Sequence, residues 1–286
     1  LAHGPGRNAT RRRNSHFMCG IAGIIHRGKS SKVGREMTTM LQALRHRGPD
    51  STGFAVYGGS KPGDILMRIK VAEREDMDKG RGILKRIKER IAGVDEILHE
   101  HGAAIKESES STPYALRYVI NHDGNTEEMA QHLEEIEGVE ILSLGRGLEL
   151  VKDLGDATAV SDAYGLDSFE GTHAIGHARM ATESDVDIRS AHPYWAFPYN
   201  DVSVVHNGQI TNYWTMRREM ERSGHRFTSD CDSELLAVFT AHNLAHGISL
   251  DESLRRSVQE IDGVFTYLVA TENQLGMAKD AMAAKP

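Results

Sequence analysis

Cys19 directly follows Met18, and that order has chemical consequences. Removal of the methionine, which aminopeptidases carry out readily before small residues, leaves a thiol and a free α-amine on one residue. An α-amine has a reference pKa of roughly 7.7–8.0, so near neutral pH an appreciable fraction can take the thiol proton. The resulting thiolate is a strong nucleophile toward a carbonyl carbon. A lone cysteine near a chain start is more often a small buried hydrophobe, so the reading needs partners elsewhere. His206-Asn207-Gly208 supplies two candidates, the Asn207 side-chain amide and the Gly208 backbone N–H, as donors to a developing oxyanion. Alone, Asn-Gly is the ordinary signature of a hairpin turn. Arg179 carries the planar fork that clamps a carboxylate, or is a surface arginine. Asp232, at a helix start, is suited to hold an ammonium group, or simply caps the helix.

Other patterns compete with this chemistry. Gly23-Ile-Ile-His-Arg-Gly28-Lys29-Ser30 satisfies the phosphate-loop pattern G-x-x-x-x-G-K-[ST] between a strand and a helix. In a phosphate loop the intervening residues leave the strand, whereas Ile24 and Ile25 continue a buried one. Asp95, the nearest acidic partner, lies in a charged helical pattern rather than at a strand end. Nucleotide binding carried by Lys29 therefore stands as an alternative. His173 and His177 are four apart, but on a strand and without a third ligand they read as structural. Cys231 reads as an ordinary thiol, and the aromatic run Tyr194 to Tyr199 as packing or as a cover over a pocket.

The elements that must position these residues follow from periodicity. The run from Cys19 is apolar and β-branched, as in a strand buried on both faces. Met37, Met40, Leu41 and Leu44 recur at helical spacing up to about His46, and Gly48-Pro49 ends that helix. Residues 53–57 read as a strand. Residues 61–165 change to mixed charge and read as an inserted α/β subdomain, with helical spacing over 68–100, strands at 115–120 and 139–144, and a helix at 127–136. Beyond it come strands at 172–179 and 202–206, helices at 213–222 and 232–246, and paired strands at 264–270 and 275–279. The second of these helices has Ser229 and Asp230 near its start as capping residues.

Composition bounds the setting. The chain has 286 residues, 39% of them hydrophobic and 26% charged, as in a soluble globule. No apolar run approaches the ~20 residues of a membrane helix. The net charge of -7 gives no support to a chain that grips nucleic acid over most of its surface. Two cysteines exclude a disulfide framework and favour a reducing, cytoplasmic compartment. Residues 1–17 lack the apolar stretch of a signal peptide and carry Arg11, Arg12 and Arg13. They read as a leader or expression extension, with a basic interaction arm as the alternative. Ending at Pro286 without a terminal helix or tail, the chain reads as a fragment or processed piece.

Five segments occur in a telling order: Met18-Cys-Gly-Ile-Ala-Gly23, Arg45-His-Arg47-Gly-Pro-Asp-Ser-Thr-Gly53, Gly176-His-Ala-Arg179-Met-Ala-Thr182, His206-Asn207-Gly208-Gln-Ile-Thr-Asn212 and Ser229-Asp-Cys-Asp232-Ser-Glu234. Together they resemble the class II glutamine amidotransferases over residues 18–60 and 166–286. The resemblance implies an α+β fold, the four-layer αββα sandwich of N-terminal-nucleophile hydrolases, with a glutaminase domain over 18–286 interrupted by the insertion. It implies that Cys19 attacks the carboxamide of L-glutamine and forms a thioester, with Asn207 and Gly208 stabilising the oxyanion. Arg179 and Asp232 would hold the α-carboxylate and α-ammonium of glutamine. Arg47 would brace the Cys19 loop, and Thr182 would line the pocket.

The same resemblance implies no metal or organic cofactor in this domain. Ammonia would pass to a synthase in a hetero-oligomer, and any flavin or iron–sulfur cluster would sit in the partner subunits. Neither nucleic acid nor membrane is expected as a partner. The Arg45 to Asp50 stretch is similar to asparagine synthetases, and the Arg179 and Asn207 segments to glutamate synthase and amidophosphoribosyltransferase. Length and insertion look most like the separate glutaminase subunit of glutamate-synthase-like complexes, including N-methylglutamate synthase, with the insertion as docking surface. Two conditions attach to the reading. A retained leader would lock the α-amine into an amide, and a non-catalytic scaffold of the same fold would keep Met18 and the leader.

Overall fold

The computed structural model describes residues 19–28, 30–48, 50–58, 61–179, 188, 191–197 and 201–285. The chain opens with β1 (Gly20–Ile25), α1 (Val33–Ala43) and β2 (Ser51–Tyr57), then enters a second unit with β3 (Asp64–Lys70), α2 (Arg81–Glu100), β4 (Ala104–Thr112), β5 (Ala115–Asn121), α3 (Thr126–Glu134) and β6 (Glu140–Gly145). It returns through β7 (Leu148–Leu154), α4 (Ala157–Tyr164) and β8 (His173–Arg179), followed by β9 (Tyr194–Trp195) and β10 (Ser203–Ile210). The last elements are α5 (Tyr213–Arg222), α6 (Asp232–Ala245), α7 (Leu250–Glu260), β11 (Gly263–Ala270) and β12 (Leu275–Lys279).

Two antiparallel sheets, ordered β1-β8-β2-β7 and β12-β11-β10-β9, face each other. On α1 the buried residues Val33, Met37 and Leu41 repeat every four, which turns one face onto β8, β1 and β2. Helix α4 packs beside it, while α6 lies on β10 and β9 and α7 on β12. The result is the expected four-layer αββα sandwich. Buried Tyr57 of β2 crosses between the sheets, its hydroxyl sharing 2.7 Å with Ser203 Oγ and donating to the Ala270 carbonyl at 2.9 Å.

The inserted unit is a third sheet, β4-β5-β3-β6, with α2 and α3 against it, and here the structure departs from the periodicity. Residues 68–100 are not one helix, because Arg68 and Lys70 belong to the central strand β3, buried on both faces. Their charges are neutralised by Glu149 at 2.7 Å and Glu73 at 2.5 Å, so a buried strand carries the polar pattern of a helix surface. The insertion also ends earlier than residue 165. Strand β7 pairs with β2 from Ser51↔Leu154 to Tyr57↔Leu148, and α4 packs on α1. Its buried Lys152 and Asp153 disguise it in the sequence: Lys152 faces Glu140 at 3.5 Å, and Asp153 accepts from the Tyr114 and Tyr164 hydroxyls.

One carboxylate ties the insertion to the sandwich. Asp201, at φ 63, accepts the backbone N–H groups of Arg146, Gly147 and Leu148 at 3.0, 2.9 and 2.7 Å, clamping the β6–β7 turn beside the start of β10. Asp201→Ala leaves these donors without their acceptor. The expected loss is about 3 kcal/mol, at 1–3 kcal/mol for each buried group left unsatisfied and with partial relaxation to water. Urea unfolding checks this, and an unchanged midpoint would refute the clamp.

Candidate active site

Cys19 immediately precedes β1, whose register pairs Gly20 with Ala178 of β8, so Cys19 sits level with Arg179. Alternation places it on the inter-sheet side, where Gly23 of the same strand meets Leu268 of β11. From the facing sheet, the Asn207 side-chain Nδ2 donates to the Cys19 carbonyl at 2.8 Å. The turn after α1 closes the third side. A Cβ on Gly48 would stand 2.5 Å from the backbone of Ala178 and Arg179, so only glycine lets the turn bearing Arg47 press onto the end of β8. Asp50 N–H then donates to the Arg179 carbonyl at 3.1 Å.

The donors are set by one strand edge. Phe265 exchanges both backbone bonds with Asp280, donating to Oδ1 at 2.9 Å and accepting from its N–H at 3.0 Å, so its peptide groups face β12. Gly208 lies opposite Phe265 and is therefore a non-hydrogen-bonded pair, its N–H directed to the other edge of β10. Strand β9 covers that edge only at Ser203 and Val204. Two residues on, Ile210 N–H leaves the same edge and donates to Asp232 Oδ2 at 2.8 Å. Gly208 has φ 149, and a Cβ there would meet the Val264 carbonyl at 2.1 Å, so the Asn-Gly pair is a strand feature and not a hairpin turn.

Asp232 is held from a second direction as well. Ser233 Oγ donates to its Oδ1 at 3.3 Å and pairs with His206 Nδ1 at 2.7 Å. Cys231, not Ser229 or Asp230, is the residue before the first turn of α6, and its Sγ lies 3.8 Å from Asp232 Oδ1. Thr228 and Ser229 instead use backbone and hydroxyl groups to grip the buried Glu234 carboxylate. Burial pushes the Cys231 thiol up, away from reactivity.

The histidines around the site are neutral. Burial, with the charges of His206 and Arg179 adding to it, lowers His177 to about 3. Burial lowers His206 to about 4 against the opposing pull of Asp232. His192 is pushed well below its ordinary value by burial and by His177 and His206. His173 is structural, stacked on Tyr57 at 4.3 Å and bonded to the Thr271 carbonyl at 2.8 Å.

The structure thus brings Cys19, Asn207, Gly208, Arg179, Arg47 and Asp232 to one end of the sandwich, while Thr182 lies outside the described residues. Sequence reasoning missed His192, and it missed that His206 and Ser233 link β10 to Asp232. The pair Asp232-Ser233 at a helix start was the available signal. Residues 23–25 of the phosphate-loop pattern lie within β1, paired with 173–175, so the chain does not leave the strand where a phosphate would need it to; Lys29 lies outside the described residues. Among the described residues no group of three His, Cys, Asp or Glu could hold a metal ion, and no helix is long and apolar enough to cross a membrane.

Known proteins share both sequence and fold with this chain. A family of glutamine amidotransferase domains matches residues 177–286. A protein of Methanothermobacter thermautotrophicus assigned to the glutamine amidotransferases is 40% identical over 272 residues, spanning 94% of this chain and 87% of its own length. The glutamine amidotransferase-like protein GlxB of Rhizobium meliloti is 30% identical over 94% of this chain and 84% of its own. Among solved structures, glutamine phosphoribosylpyrophosphate amidotransferase from B. subtilis superposes with a TM-score of 0.50 at 17% identity, over 94% of this chain and 38% of that one. This last likeness is one of fold.

Proposed function

This chain belongs to the glutamine amidotransferases, and from that premise we propose that it hydrolyses L-glutamine to glutamate and ammonia through a thioester on Cys19. The observation that carries the reading is the 2.8 Å bond from the Asn207 amide to the Cys19 carbonyl, which joins residues 188 apart in sequence into one site. The Cys19 α-amine takes the thiol proton, and the thiolate attacks the side-chain carboxamide carbon. The second Asn207 amide proton and the Gly208 N–H receive the negative charge on the carboxamide oxygen. The protonated α-amine returns its proton to the departing nitrogen, and the C–N bond breaks to leave ammonia and the γ-glutamyl thioester. Water then cleaves the thioester and regenerates the thiol. Arg179 holds the substrate α-carboxylate, Asp232 its α-ammonium, Arg47 the nucleophile turn, and Thr182 the pocket wall.

Residues 1–18 attached ahead of Cys19 would make its nitrogen an amide, so cleavage before Cys19 is part of the proposal. The ammonia is destined for an acceptor on a synthase partner, such as a glutamate or N-methylglutamate synthase. Glutamine turnover by the processed chain tests the reaction. Asn207→Ala is expected to lower kcat by about 10²–10³-fold, the cost of one oxyanion donor. An unchanged kcat would remove Asn207 from the site.

A further inference from the structure

Around the oxyanion donors, four of the six ring nitrogens of three histidines gather without hydrogen-bond partners among the described residues. His177 and His206 are 2% and 3% exposed, and His192 is half-buried with both nitrogens shielded from solvent. His177 and His192 stack with centroids 4.2 Å apart and planes 18° from parallel, and His192 meets His206 edge-on at 6.3 Å. His206 Nδ1 is taken by Ser233, and the His177 ring bonds the Asn207 side chain and the His206 backbone, but His206 Nε2, His177 Nε2 and both His192 nitrogens are left without a partner among the described residues. Buried polar atoms are nearly always satisfied, so four orphaned nitrogens in one cluster need an explanation.

Their position suggests one. His206 adjoins Asn207 in sequence, and its Nε2 would lie 2.9 Å from a Cβ placed on Gly208. His192 stands two residues before β9, level with His206 along the edge toward which the Gly208 N–H is directed. The cluster therefore borders the place where the acyl carbonyl would sit. Its chemistry limits the occupant. A neutral imidazole offers one donor and one acceptor and balances no charge. The Arg179 guanidinium acts on both His177 and His192, which disfavours a cation beside them. Stacked rings, moreover, leave access only along their edges.

We propose that His177, His192 and His206 form a binding site for a neutral hydrogen-bonding molecule of one heavy atom, water or ammonia, held against the Cys19 thioester. The proposal rests on the reaction above and deepens it, because the cluster decides which molecule the thioester meets. Water on the thioester gives glutamate and free thiol; ammonia gives glutamine and free thiol. Both steps balance without a further reactant.

A high-resolution crystal structure of the processed chain should show a density peak within hydrogen-bonding distance of at least two of the four nitrogens. A dry cluster overturns the site, whether or not the protein turns over glutamine. The second measurement is the ratio of ¹⁵N-glutamine to glutamate formed during glutamine turnover in ¹⁵N-ammonium buffer. His192→Leu removes two of the nitrogens, and His192→Asn restores one donor and one acceptor. In the leucine variant the ratio should fall about tenfold if ammonia is held and rise about tenfold if water is held, the effect of one lost hydrogen bond, with asparagine recovering most of the change. An unchanged ratio with turnover intact overturns the proposal. If wild-type protein neither turns over glutamine nor reacts at Cys19 with a glutamine-like electrophile, the reaction assignment fails, and the density peak still decides the site.

Discussion

Cys19→Ala protein will release no measurable ammonia from glutamine, a loss on the order of 10⁴-fold or more, while unfolding at the temperature of its parent. On the proposed reaction, the size of the effect follows from removing the atom that would form the covalent intermediate: the oxyanion donors and substrate contacts assigned there cannot stand in for a missing nucleophile. Stability is spared because Cys19 is half-buried and contributes its carbonyl, not its thiol, to the bond with Asn207. A glutamine-like electrophile distinguishes the two thiols. It should label Cys19 alone, since Cys231 is raised by burial and seated beneath Asp232. Full activity in Cys19→Ala, or labelling at Cys231 instead, would contradict the reaction. A chain that keeps residues 1–18 should match the alanine variant in inactivity, because its Cys19 nitrogen is acylated.

Acid should unfold the protein through its buried histidines. In an unfolded chain a histidine titrates near 6.5, whereas His177 falls to about 3, His206 to about 4, and His192 well below its ordinary value. The native state thus binds fewer protons than the unfolded state across this interval. The stability they contribute is complete above the unfolded pKa and declines as pH falls toward 4. Each histidine supplies a slope of up to about 1.4 kcal/mol per pH unit, so the three together reach about 4 kcal/mol per unit. Glu134 works in the opposite sense, since burial raises its carboxyl and the native state then takes up a proton the unfolded chain would lack, and it softens the lower end of the decline. Urea midpoints measured between neutral pH and pH 5 test this. A flat profile would mean that the histidines are charged or solvated in the fold.

Much of the sandwich was legible because its elements keep a single period. Helix α5 and strand β12 fall on the expected residues, 213–222 and 275–279, and β1, α6 and β11 within a residue or two. The inserted sheet was legible only in part: β5, α3 and β6 fall near the expected 115–120, 127–136 and 139–144, whereas β3 and β4 were missed, and the reason is electrostatic. Arg68 with Glu149, and Lys152 with Glu140, bury charges in pairs that no single-strand pattern reveals. Strand β4 is an exposed edge whose alternating Glu and Ser look like a solvated loop. At the site, Cys19, Arg179, Asn207 and Asp232 announced themselves by residue type and local motif. His192 did not, because its importance comes from standing between two sheets, on His177 of one and beside His206 of the other. That juxtaposition exists only after the sandwich has closed.

The common edge of Gly208 and Ile210 makes β10 a ruler. One N–H is the donor proposed for the reacting carbonyl, and the other fixes the carboxylate proposed to grip the substrate nitrogen. Two residues of strand separate them by about 6.8 Å, a span that neither side-chain rotation nor loop motion can alter. On the proposed reaction, length discrimination would be built into the backbone: a substrate one methylene shorter, such as asparagine, would reach either mark but not both.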